Sequence, residues 1–275
     1  MHHMINANGL LVSSFSEIPS ELLHQLHTEL SIAEQLRYQN GKILFWEQHY
    51  FRMLASLRRH RLGIPMDFTM EYLEAEVNKL LNIESPPLNC ALVRFQFIPH
   101  QERVAFLISV SATKALDQIA PLQKYSLDLF KEVGIQASEL SNLSTTNTTL
   151  FTIGKRYAAE NGLDDCIVLN DQKNLVETLQ GSLYLFQEDK ILTPHLASGC
   201  QNFAFRTVFN EWLGSHLQDK ELVEQALNPY ELQKSKELLV LSLEKGGQSI
   251  TQYRKTFYKT EASQKIYRTF LNQLH

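Results

Sequence analysis

The sequence has 275 residues, of which 44% are hydrophobic and 20% are charged, a composition typical of a globular protein with room for two modest domains. Its net charge of −4, without any basic block, argues against nucleic-acid binding, and no apolar run approaches the roughly 20 residues that span a bilayer. The three cysteines lie far apart, and neither a secretory signal nor a cluster with metal-ligand spacing is recognisable. We therefore expect a cytoplasmic protein that binds no nucleic acid, no membrane and no metal.

The N-terminal part of the chain, residues 1–113, is predicted to form a small α/β domain. Its Asn-Gly pair at 40–41 predicts a hairpin turn, because both residues readily adopt positive φ. Apolar residues then recur at helical spacing, and later stretches alternate between apolar and polar residues as strands do. The predicted elements are a strand at 9–15, helices at 47–61 and 69–82, and antiparallel strands at 91–99 and 102–112.

Residues 114–126 show no strong periodicity and contain Pro121, so we interpret them as the connection between domains. A larger mixed domain is predicted for residues 127–275. Its predicted elements are strands at 125–133, 164–170 and 182–187, a short strand before 193–196, helices at 148–162, 203–217 and 263–274, and a strand–turn–strand segment at 237–258.

Four sequence fragments follow one another in a recognisable order. They are HYFRM at 49–53, LSNLSTTN at 140–147, AENGLDDCIVLNDQKNLVE at 159–177 and ILTPHLASGCQNFAFR at 191–206. In order and separation they resemble the class IV aminotransferase family. These fold-type-IV pyridoxal-phosphate enzymes include branched-chain and D-amino-acid aminotransferases and aminodeoxychorismate lyase.

The resemblance runs from about residue 34 to residue 249. It implies an α/β (α+β) protein of two domains, with a small N-terminal α/β domain and a larger, β-barrel-like C-terminal domain. It also implies a homodimer, pyridoxal phosphate as cofactor, and a small amino or keto acid, or another small anion, as ligand.

Three residues match functional positions of the family. Arg52, in the context His49-x-x-Arg52, matches the arginine that binds the cofactor phosphate through charge-assisted hydrogen bonds. Glu177 matches the glutamate that keeps the pyridine nitrogen protonated, so that the ring can withdraw electrons from the substrate. Arg206 matches the arginine that ends the phosphate-binding turn segment.

Other positions depart from the family pattern. Ser144 stands where the family has its Schiff-base lysine, and the nearest lysines in the sequence are Lys131 and Lys155. Phe203 replaces a glycine that lets backbone N–H groups approach the phosphate. The family's late threonine-asparagine pair is Leu241-Ser242, and the asparagine of its S-N-x-F motif is also missing.

Each matched residue also has a structural interpretation. Arg52 is alternatively a solvated helix residue, Glu177 a strand-end carboxylate, and Arg206 the partner of an acid on the helix surface. Ser144 is alternatively a loop or N-cap residue. His195 has no second ligand at metal spacing, so a surface position is the default.

Two hypotheses about function follow. In the first, the chain is a pseudoenzyme that keeps the scaffold without Schiff-base catalysis, because a serine cannot form an imine. In the second, it is an active aminotransferase or aminodeoxychorismate lyase that holds the cofactor through Arg52 and Glu177 and uses a displaced lysine, Lys131 or Lys155, to carry protons.

Overall fold

The computed structural model describes residues 4–100, 102–217 and 219–274. The chain forms two compact units, of which the first comprises Met1–Ala115 with Ser144–Asn147 and the second comprises Leu116–Leu143 with Thr148–His275. A short segment of the LSNLSTTN stretch therefore returns to the first unit. Among the described residues, no helix is long and apolar enough to cross a bilayer.

The first unit is built on one antiparallel sheet. Its strands are β1 (Ile5–Ala7), β2 (Leu10–Val12), β3 (Ile32–Gln39), β4 (Lys42–Ile43), β5 (Cys90–His100) and β6 (Arg103–Ala112). Its helices are α1 (Ser20–Thr28), α2 (Trp46–Arg59) and α3 (Met70–Ile83). The strands are ordered β2–β1–β6–β5–β3–β4 across the sheet.

Successive side chains along each strand point to opposite faces of the sheet, and apolar side chains lie on both faces. On one face, α2 and α3 pack against residues such as Phe97, and on the other α1 packs against residues such as Ile98. The two hairpin turns have positive φ at Asn8, Gly9, Asn40 and Gly41. Thr69 caps α3, since its side-chain oxygen accepts a hydrogen bond from the Tyr72 backbone N–H at 3.1 Å.

The second unit contains two five-stranded sheets. Its strands are β7 (Ser126–Ile135), β8 (Asp165–Asn170), β9 (Leu175–Thr178), β10 (Ser182–Phe186), β11 (Lys190–Pro194), β12 (Glu221–Gln225), β13 (Glu237–Ser242), β14 (Gly246–Ile250), β15 (Gln252–Tyr253) and β16 (Thr256–Phe257). Its helices are α4 (Thr149–Glu160), α5 (Ala204–His216), α6 (Tyr230–Lys234) and α7 (Glu261–Leu271). The sheet orders are β12–β11–β10–β13–β14 and β16–β15–β7–β8–β9.

The main core of the second unit draws buried side chains from both sheets, among them Leu129, Leu185 and Val240. The opposite face of β7 and β8 packs against α4 through Phe130, Val168 and Ala158. Helices α5 and α7 share an aromatic cluster, in which the rings of Phe209 and Phe270 have centroids 5.0 Å apart.

Most predicted elements are confirmed, including the hairpin at 40–41, the helices α2, α3, α4, α5 and α7, and the antiparallel pair β5–β6. The predicted strand at 9–15 is too long, because only Leu10–Val12 pairs as a strand and Phe15–Glu17 forms a 3-10 turn. Helices α1 and α6 and strands β1 and β12 lie outside the predicted set.

Candidate functional site

A buried cluster of charged side chains lies in the first unit, where α2 packs on β3. His49 and Arg52 are three residues apart and so share one face of the helix, and Glu34 lies beneath them on β3. The two carboxylate oxygens of Glu34 are divided between these partners. Oε1 lies 2.6 Å from His49 Nδ1, and Oε2 accepts a hydrogen bond from Arg52 Nη1. All three side chains are buried.

Ser144 joins this cluster because its segment lies alongside the start of β3. Thr145 forms a bridge with Ile32, and the Thr146 backbone N–H donates to the Ser31 carbonyl at 2.9 Å. This register brings the Ser144 hydroxyl to the guanidinium of Arg52, and Nη2 donates to Oγ at 2.7 Å. The two residues that the sequence analysis expects at the family's lysine and phosphate-binding positions, Ser144 and Arg52, are therefore joined by a hydrogen bond.

The electrostatics of the cluster favour a charged Glu34. Burial opposes ionisation of this carboxyl group, but the Arg52 guanidinium and the hydrogen bond from His49 outweigh burial and hold its pKa below the ordinary value. The positive charge of Arg52 is consequently balanced inside the chain.

Glu177 is a buried residue of β9 in the second unit. Its Oε2 accepts a hydrogen bond from the Gln201 backbone N–H at 3.0 Å, which ties the strand to the turn before α5. Asn142 ties a loop to the same turn, since its amide donates to the carbonyls of Leu196 and Cys200 at 2.8 and 2.7 Å. Gly199 has φ +97°, and a Cβ there would lie 3.2 Å from the Ala137 Cα, so this turn requires glycine.

Arg206 is buried at the start of α5, and its hydrogen bonds lie within its own unit. Its Nη2 donates to the Pro194 carbonyl at 2.7 Å and to Glu224 Oε2 at 2.6 Å. Glu224 also accepts from Asn210, whose own carbonyl oxygen accepts from the Tyr184 hydroxyl. These contacts fasten α5 to β11 and β12, in agreement with the structural interpretation of Arg206, although its acidic partner lies on a strand rather than on the helix.

Phe203 and Ser242 have local roles. Phe203 is the N-cap residue of α5, with φ −61° and ψ 140°, so this position does not need the conformational freedom of glycine. What it adds is a half-buried phenyl ring at the helix start. The Ser242 hydroxyl accepts from the Lys245 backbone N–H at 3.1 Å and closes the turn between β13 and β14.

The two candidate replacement lysines, Lys131 on β7 and Lys155 on α4, are both exposed. His195 is half-buried, and its Nδ1 lies 2.9 Å from the Ser198 hydroxyl. Within the described ranges, no group of three or more histidine, cysteine and acidic residues could hold a metal ion.

Within the first unit, the structure brings Arg52 and Ser144 together, and within the second it connects Glu177 to the turn that precedes Phe203 and Arg206. The solvated alternative for Arg52 is wrong, because the side chain is buried. Ser144 lies in a loop, which is one of the two structural alternatives for it, and the N-cap of α4 is Thr148. Sequence reasoning did not identify Asn142 as a loop anchor.

The sequence profile of the amino-transferase class IV family matches residues 31–253. The chain belongs to this family. A branched-chain amino acid aminotransferase from Thermobaculum terrenum that this chain resembles was solved in its pyridoxal-phosphate holo-form. The fold-type-IV architecture predicted from the sequence is confirmed by the solved structures described next. No curated protein matches the chain significantly in sequence.

Three solved structures illustrate the likeness. A branched-chain aminotransferase from Thermoproteus uzoniensis superposes with a TM-score of 0.85 at 17% identity, covering 98% of this chain and 94% of that chain. A branched-chain amino acid aminotransferase from Escherichia coli gives 0.86 at 15% identity, with 100% and 95% covered. A putative 4-amino-4-deoxychorismate lyase from Legionella pneumophila gives 0.80 at 14%, with 91% and 93% covered. At these identities the likeness establishes the fold.

Proposed function

We propose that this chain is a class IV aminotransferase-like protein without the family's Schiff-base chemistry, a scaffold that binds a small anion or a partner instead. The observation that carries the proposal is the hydrogen bond from Arg52 Nη2 to Ser144 Oγ at 2.7 Å. A hydroxyl can accept from a guanidinium, whereas a protonated lysine at the same position carries only donors. The local geometry therefore suits the serine.

The residues do not fit a covalently held pyridoxal phosphate. A serine forms no imine, so position 144 supplies no amine nitrogen for the covalent bond by which the family holds the cofactor. The charge of Arg52 is balanced by Glu34 within a buried cluster. Phe203 adds a ring where the family has glycine. No step of a transamination or a lyase reaction is derived for this chain.

We extend the proposal to a cytoplasmic homodimer, which is what the resemblance to the family implies. The sequence contains 15 phenylalanines and 10 tyrosines, and this aromatic content is consistent with a buried subunit interface. Sedimentation velocity is expected to give a single species of twice the chain's 31.7 kDa mass. A species of 31.7 kDa at all concentrations would contradict the dimer.

The proposal is tested by titrating the purified protein with pyridoxal phosphate while the absorption spectrum and the melting temperature are recorded. We expect neither a saturable one-to-one spectral change nor a rise in melting temperature. A ligand that binds the folded state at 100 times its Kd would stabilise it by about 2.7 kcal/mol, which a melting curve resolves.

The matched control is the double variant Lys131→Arg with Lys155→Arg, which keeps both charges but removes both displaced amines. A saturable spectral change in the natural chain that disappears in this variant would contradict the proposal. That result would instead support the active enzyme with a displaced lysine.

A further inference from the structure

We infer that the second unit carries a separate binding pocket for a small amphipathic anion, such as an aromatic carboxylate, formed where its main core opens beside α6. The pocket has a volume of about 440 Å³. That size is typical of the clefts that enclose small organic ligands. The inference is independent of whether pyridoxal phosphate binds.

The floor of the pocket is apolar. It is formed by Leu129 on β7, Leu169 on β8 and Tyr253 on β15, which all belong to the core between the two sheets. Pro229 and the ring of Tyr230 on α6 form one wall. Tyr230 is 58% exposed, so a large aromatic surface faces solvent at the opening. Such a surface favours contact with a flat or apolar ligand body.

The rim of the pocket is cationic. Lys131, Lys173 and Arg254 line it together with the neutral Gln233. Among the described residues, the ammonium groups of Lys131 and Lys173 have no hydrogen-bond or ion-pair partner. Arg254 donates through Nε to Asp128 at 2.8 Å, and its guanidinium carbon lies 5.1 Å from the centroid of the Tyr253 ring. This arrangement presents three positive charges against one carboxylate, which favours an anionic head group.

Backbone conformation supports the same location. Lys173 and Arg254 have φ of +64° and +54°, a left-handed conformation uncommon for residues other than glycine, asparagine and aspartate. Both residues line the pocket. Unfavourable backbone conformations are enriched at ligand sites, and here they occur at two of the three cationic residues that line the pocket.

The pocket lies at a different place from Glu177, the residue that matches the family's cofactor-binding glutamate. Glu177 pairs across the strands with Val168, so these side chains project from the same face of the sheet. Leu169 follows Val168 on β8 and projects from the opposite face, toward the main core and the pocket. A ligand bound in the pocket therefore lies across the sheet from Glu177.

The inference is tested by calorimetric titration of the full chain with 2-naphthoate, its neutral isostere 2-naphthamide, and inorganic phosphate. We expect one saturable site for 2-naphthoate, binding of the amide weaker by about tenfold or more because charge-assisted hydrogen bonds are lost, and no detectable binding of phosphate. Equal affinity for acid and amide would overturn the anionic part of the inference. Equal affinity for phosphate and 2-naphthoate would overturn the apolar part.

Location is tested with charge variants. The double variant Lys131→Gln with Lys173→Gln is expected to weaken 2-naphthoate binding by about tenfold, whereas Lys155→Gln, an exposed lysine away from the pocket, leaves it unchanged. Lys173→Gly removes one cation and relieves the positive φ, so we expect a higher melting temperature together with weaker binding. Unchanged affinity in the double variant, or no binding to the natural chain at millimolar 2-naphthoate, would overturn the inference.

Discussion

The ion pair between Glu34 and Arg52 is buried, so each charge is stabilised mainly by the opposite charge of its partner. Replacing Arg52 by methionine keeps much of the volume but leaves a buried carboxylate without its cationic partner. We expect Arg52→Met to lower the free energy of unfolding by about 3–5 kcal/mol in urea denaturation. In the double variant with Glu34→Gln, the loss is expected to be smaller than the sum of the two single losses, because the residues contact each other.

Arg58→Met is the matched control, because Arg58 is an exposed residue of the same helix. Its effect is expected to stay within about 0.5 kcal/mol. If Arg52→Met were as mild as Arg58→Met, the buried cluster would not be formed as described.

Ser144→Lys addresses whether one residue alone separates this chain from its relatives. We expect the variant to stay colourless with pyridoxal phosphate, because the phenyl ring of Phe203 remains at the start of α5, where the resemblance to the family implies a glycine that lets backbone N–H groups approach the cofactor phosphate. Adding Phe203→Gly is expected to recover measurable cofactor binding, read from the absorption spectrum. Ser144→Ala is the stability control, since it loses the same hydrogen bond without adding a charge. A yellow single variant would contradict this prediction.

Asp165 is expected to make stability depend on pH. Burial raises the pKa of this carboxyl group to about 6, although it accepts hydrogen bonds from the Tyr125 hydroxyl and from backbone N–H groups. The folded state therefore binds the proton more tightly than the unfolded state. The stability associated with protonation is present below the unfolded pKa and is lost as pH rises through about 6.

Asp165→Asn removes this titration while keeping the shape of the side chain. The stability of the variant relative to the natural chain is expected to rise by roughly 2–3 kcal/mol between pH 4 and pH 7, measured by urea denaturation. A difference that stays constant over this range would show that Asp165 has an ordinary pKa.

At the scale of secondary-structure elements, we expect substitution by alanine to have opposite effects on stability at two glycines. A Cβ on Gly247 of β14 would lie 2.5 Å from the ring of Tyr267, through which α7 packs on the sheet. Gly214 lies in α5, and its Cβ would have no neighbour within 4 Å. We expect Gly247→Ala to destabilise the protein by about 1–3 kcal/mol and Gly214→Ala to stabilise it by about 1 kcal/mol in thermal denaturation. Equal effects would contradict the packing of α7.

The elements that could be predicted from the sequence are those whose apolar spacing or turn residues are visible within one short stretch of the chain. Helices α2 and α3 have apolar residues at helical spacing, and the Asn-Gly pair marks its turn directly. Strand β12 reads ELVEQ and has no buried residue, because it pairs with β11 at the edge of its sheet. Its stability comes from backbone pairing and from the Arg206–Glu224 contact, which no local pattern shows.

The sequence identified the residues of the candidate site, but it did not show which residues they contact. Arg52 and Ser144 are found from the motif order, but they lie 92 residues apart, and the pairing of Thr145 with Ile32 brings them together. Arg206 could not be assigned to Glu224 without the fold. The cationic pocket combines residues from four separate parts of the second unit, so no sequence motif marks it.

For the whole molecule, the family profile covers residues 31–253, and we propose that Ser144 stands at the family's Schiff-base position. A fold of this kind supports many functions, so its retention does not require that the chemistry is retained.

The measurement that tests the central claim most directly is borohydride reduction of the full chain with pyridoxal phosphate, followed by mass spectrometry of the intact protein and its peptides. We predict that no lysine carries a stoichiometric reduced pyridoxyl group, and that any trace is spread over exposed lysines and matches that of the variant with Lys131→Arg and Lys155→Arg. A one-to-one adduct at a single lysine would contradict the account and identify this chain as a pyridoxal-phosphate enzyme with a relocated Schiff base.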